Sequence, residues 1–128
     1  MNDRRSIKYG FIKPAIDAHT MGINSAAELL RDCGYDVIIA GDTVEKAMND
    51  YKYELQRKVV VDWVITNKID RVGISYRLDQ DDAMNMLGYL IEEFKKANLM
   101  NFQGGQIETI FFGGLPKTCE TIEKEFNG

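Results

Sequence analysis

The spacing of apolar positions changes several times along the chain, and each change marks an element. Residues 7–12 (Ile, Lys, Tyr, Gly, Phe, Ile) form a short apolar run closed by Lys13 and Pro14. Proline has no amide proton for a ladder and disfavours helix at the residue before it, so a strand ends and a loop begins there. After Gly22 the period lengthens: Ile23, Ala26, Ala27 and Leu30 stand at i, i+3, i+4 and i+7, the spacing of one buried helical face. Gly34 is placed as the glycine that ends such a helix. Val37, Ile38 and Ile39, within residues 35–40, then make a β-branched run suited to a buried parallel strand.

Gly41, Asp42 and Thr43 break that run, and Thr43 is expected to cap a helix opening at Val44 and Glu45. Residues 44–67 are too long for a single ordinary helix. They read as a short helix closing near Asn49 and Asp50, then a longer one turning Leu55, Val59, Val60 and Trp63 inward. Residues 72–75 make a third strand, followed by a polar stretch, 76–82. Met84, Leu87, Leu90, Ile91 and Phe94 mark another amphipathic helix. Beyond a loop with Gly104 and Gly105, residues 107–112 form a fourth strand that Gly113 and Gly114 are expected to stop. Pro116 suits the first turn of a last helix. Strands alternating with helices make a parallel sheet with helices on both faces, joined by right-handed crossovers. Ligands of such sheets bind beyond the carboxyl ends of the strands. Three stretches reach that end: residues 17–22 after the first strand, 75–80 after the third, and Gly113–Gly114 after the fourth.

Composition narrows the class. The 128 residues suffice for one domain with a real core, and 45% of them are hydrophobic. A net charge of −4 with interspersed signs gives no basic field for nucleic acid or an anionic membrane. Cys33 and Cys119 lack CxxC spacing and a partner histidine, and they read as reduced thiols of a cytoplasmic protein. No apolar run reaches membrane-spanning length.

The three loops differ in chemical content. Asp17, Ala18, His19, Thr20, Met21 and Gly22 hold the only histidine, with a carboxylate two places before it. Histidine is a common metal ligand, and a carboxylate on its other nitrogen orients the ring. The same residues also suit a surface-loop histidine beside a helix-capping aspartate. Ser75 at a strand end can reach a ligand or cap a turn. Gly113 and Gly114 leave either a slot for a flat group or phosphate, or a turn needing positive φ. Asp79, Asp81 and Asp82 fit the first turn of a helix, where negative charge favours the dipole, better than a divalent-metal pocket. Tyr51, Tyr53 and Tyr76 read as packing or interface residues. Neither GxGxxG nor GxxxxGK[ST] is present, so the signatures of nucleotide-phosphate cradles are lacking.

Taken together, the loops resemble the cobalamin (vitamin B12)-binding domains. Residues 17–22 match their DxHxxG motif, Ser75 stands where their second motif has serine, and Gly113–Gly114 where they have GG. Leu78 falls one place later than the second motif's leucine, and the interval from Gly22 to Ser75 is longer than in the family, with the surplus over residues 43–57. The resemblance implies a Rossmann-like or flavodoxin-like three-layer αβα sandwich around a parallel sheet. It further implies a final strand and helix, which this chain would lack. Residues 1–128 would thus be a single cobalamin-binding domain, either an excerpt of a longer polypeptide or a subunit of a complex. His19 would be the lower axial cobalt ligand in place of the cofactor's own base, with Asp17 tuning it. The cofactor set is then Asp17, His19, Thr20, Met21 and Gly22, joined by Ser75, Tyr76, Leu78, Gly113 and Gly114, with no catalytic side chain. The nucleotide tail would run beside the first helix past Gly22 and Ser75. The expected function is the B12-binding component, short of a complete enzyme, of an adenosylcobalamin-dependent mutase or aminomutase working with a barrel-type catalytic subunit. The alternatives are a corrinoid methyl carrier or methyltransferase domain and, outside cobalamin, a flavodoxin-like regulatory or interaction domain. Self-association is compatible with each.

Overall fold

The computed structural model describes residues 7–15, 21–76 and 79–114. Their order is β1 (Lys8–Ile12), α1 (Met21–Asp32), β2 (Asp36–Ile39), α2 (Asp42–Asn49), α3 (Glu54–Thr66), β3 (Arg71–Tyr76), α4 (Gln80–Lys96), a 3₁₀ turn (Asn101–Gln103) and β4 (Thr109–Gly114). The strands stand in the order β2-β1-β3-β4 and every pairing is parallel. This is a flavodoxin-like or Rossmann-like α/β fold, as the alternation of periods predicts. The helix expected from Pro116 lies outside the described residues.

Handedness explains which helix covers which face. The step from β1 to β2 and the step from β2 back across β1 to β3 run in opposite directions. Crossovers of the same hand therefore place α1 on one face and α2 with α3 on the other. The packing agrees. Phe11, Ile23, Ala27 and Val37 form a small core between α1 and the sheet. A larger core on the opposite face gathers Ile12, Val44, Met48, Val60, Val64, Ile74, Leu90 and Phe94. Gly73 sits on the α1 face between two rings. A Cβ there would lie 2.7 Å from both Phe11 and Phe111, whose rings meet edge to face at 5.7 Å. A side chain at this position would have to displace that aromatic pair.

Several local expectations are corrected. The buried face of α3 is Arg57, Val60, Val61 and Val64, not Leu55, Val59 and Trp63. Leu55 is 75% exposed, and Val59 and Trp63 are half-buried at the edge of the larger core. The phase follows from Arg57, which pattern reading leaves in solvent but which pairs with Glu93 of α4 at 2.8 Å. Gly41, not Thr43, is the N-cap of α2, so that Asp42 joins Glu45 in the first turn, where acidic side chains favour the helix dipole. β4 starts at Thr109, Ile107 making only an isolated bridge to Met100. It also runs through Gly113 and Gly114 instead of stopping before them. β3 likewise includes Tyr76.

Three helices end by one device. After α1 the amide of Gly34 bonds the Arg31 carbonyl and that of Tyr35 bonds the Leu30 carbonyl, the paired bonds of a Schellman motif. Gly34 takes φ +96° at no steric cost. Lys68 with Ile69 after α3, and Asn98 with Leu99 after α4, repeat both bonds, but with φ of 54° and 57° on side-chain-bearing residues. A left-handed lysine costs roughly 1 kcal/mol. Lys68→Gly is therefore expected to raise the thermal midpoint by about 2–5 °C, and an unchanged or lower midpoint in calorimetry would contradict this account.

Candidate functional site at the carboxyl end of the sheet

Parallel pairing brings two of the three predicted loops together. Ser75 of β3 is in register with Gly113 of β4, and Tyr76 with Gly114, at the last two positions of both strands. Alternation along a strand puts Ser75 on the same face as Gly73, and Gly113 on the same face as Phe111. Both therefore lie on the α1 side. Among the described residues nothing lies within 4 Å of a Cβ built at Gly113, so the strand pair ends in a step of small residues with open space above it. Gly22 stands in the first turn of α1 and is equally open by the same measure. Met21 opens that helix. Asp17, His19, Thr20 and Leu78 lie outside the described residues.

Tyr76 goes the other way. It is buried on the opposite face, and its hydroxyl donates to Asp82 Oδ2 at 2.5 Å. The Tyr51 hydroxyl donates to Asp82 Oδ1. Asp82 is held at the start of α4, where its own amide donates to the N-cap carboxylate of Asp79 at 3.1 Å. One carboxylate thus receives two buried phenols, from the α2–α3 turn and from the end of β3. Behind Tyr51 the Arg57 guanidinium donates to the Tyr51 carbonyl at 2.9 Å and lies 4.9 Å above the Tyr89 ring. The reading of Tyr51 and Tyr76 as packing residues holds for their rings; Tyr53 is 67% exposed. Asp82 as a shared acceptor was not legible, because Tyr51 is 31 residues away and Tyr76, six residues away, lies on a different element. The only signal was an excess of acids at a helix start where capping needs one.

Among the described residues two cavities open at this end. One, of about 250 Å³, lies between the α2–α3 turn and α4 and is lined by Met48, Tyr51, Tyr53, Tyr76, Asp82 and Met86. The other, of about 190 Å³, lies on the α1 face over the ends of β1 and β2, bounded by Phe11, Lys13, Ile23, Asn24, Ile39 and Glu45. Lys13 is buried there, with its ammonium 3.7 Å from Glu45. The Ala15 amide bonds the Glu45 carbonyl at 3.0 Å and ties the chain leaving β1 to α2. Among the described residues no group of three or more His, Cys, Asp or Glu side chains stands ready to hold a metal ion. None of their helices is long and apolar enough to cross a membrane.

No family model matches the chain, and no curated protein matches it.

Burial, then the bond to Asp82 and its charge, hold both tyrosine hydroxyls protonated well above their ordinary pKa of 10.0. A folded-state pKa above the unfolded value means that the unfolded chain loses these protons first as pH rises. The associated stability is complete below pH 10 and is lost above it. The urea midpoint is expected to fall steeply between about pH 10 and 11, and to fall less steeply in the Tyr51→Phe/Tyr76→Phe double variant. Equal slopes for the two proteins would refute the linkage.

Proposed function

We propose that this chain binds cobalamin, with the cofactor's own base displaced and His19 in its place, as the B12-binding component of an adenosylcobalamin-dependent mutase or aminomutase. The observation that carries the reading is the in-register pair of Ser75 and Gly113 at the carboxyl end of β3 and β4, with open space over the glycine among the described residues. That step lies on the same face of the sheet as α1, the helix that begins at Met21 and Gly22. The family's nucleotide tail needs such a backbone-walled slot next to its first helix. Gly22 and Gly113 fit that need, because a side chain at either position would fill space that is open among the described residues.

In this reading Gly113 and Gly114 would give the tail clearance, the Ser75 hydroxyl would hydrogen-bond it, and His19 would ligate the cobalt with Asp17 orienting its ring. Bound cobalamin would supply a cobalt–carbon bond that breaks homolytically, with the substrate held by a barrel-type partner. The protein's part is ligation and orientation. The surplus between Gly22 and Ser75 is taken up by α2, α3 and the turn joining them, which pack on the face opposite the proposed tail slot.

Purified protein mixed with hydroxocobalamin is expected to show the visible spectral shift of histidine ligation, and His19→Ala to lose it. An unchanged spectrum in His19→Ala overturns the ligand assignment. Gly113→Leu is expected to weaken binding by about tenfold or more, since a leucine side chain would occupy the slot, without lowering the thermal midpoint. Absence of any binding by the parent chain would favour a flavodoxin-like regulatory domain. A barrel-type mutase subunit in a neighbouring reading frame would support the mutase role, and a corrinoid methyltransferase there would overturn it in favour of methyl transfer.

A further inference from the structure

We draw no further inference here: the strongest candidate, the cavity of about 190 Å³ on the α1 face where the buried ammonium of Lys13 lies 3.7 Å from Glu45, is bordered by both ends of a connection, residues 16–20, that lies outside the described residues, so nothing in the structure shows what covers it.

Discussion

β1 is hydrogen-bonded on both edges, and the rest of the fold depends on that. Its residues pair with β2 on one side and β3 on the other. The chain must therefore leave β1 in one direction and later return across it in the other. A fixed crossover hand then sends α1 to one face and α2 with α3 to the opposite face. The carboxyl end of β1 becomes the place where the connections diverge, and divergence leaves a crevice there. Both cavities open at that end. The larger core on one face and the aromatic cluster of Tyr9, Phe11, Tyr35 and Phe111 on the other hold the strands in register. Gly73 is what lets two of those rings close over the sheet.

The end of β3 serves both faces at once. Ser75 and Tyr76 are consecutive, so the pleat sends one to the α1 face and the other to the α4 face. On the first side the strand meets Gly113 and leaves a step that is bare among the described residues. On the second, Tyr76 is anchored by Asp82, which also holds Tyr51 of the α2–α3 turn. A strand end fixed on one side by a hydrogen-bonded phenol is a firm wall for whatever binds on the other.

Much of the fold was legible in the sequence because its strands and helices keep separate periods. The runs at residues 7–12 and 35–40, and the i, i+3, i+4, i+7 rows of α1 and α4, translate directly into elements. Where reading failed, a charge or a glycine was the cause. α3 turns on Arg57, and a pattern that assigns arginine to solvent rotates that helix onto Leu55. Gly113 and Gly114 look like a stop, yet pairing with Ser75 and Tyr76 supplies the backbone bonds that keep them in the strand. Of the candidate site, the glycines and the serine could be read from spacing. The Tyr51–Asp82–Tyr76 cluster could not, because the approach of the α2–α3 turn to the start of α4 is a tertiary contact that local spacing does not show.

The Arg57–Glu93 pair bears on how rigid the aromatic cavity is. Both side chains are nearly removed from solvent, and desolvating two ions consumes much of what their attraction returns. An apolar pair of the same volume would hold α3 against α4 about as well. It would not hold Tyr51. The second arm of the guanidinium binds the Tyr51 carbonyl, and its flat face covers Tyr89, which in turn packs 5.6 Å from the Tyr51 ring. Arginine is suited to this because its donors are fixed in one plane while both faces of that plane remain free to stack. The buried charge therefore contributes more to the direction of one tyrosine than to stability, and the direction of Tyr51 decides whether Asp82 receives two phenols or one.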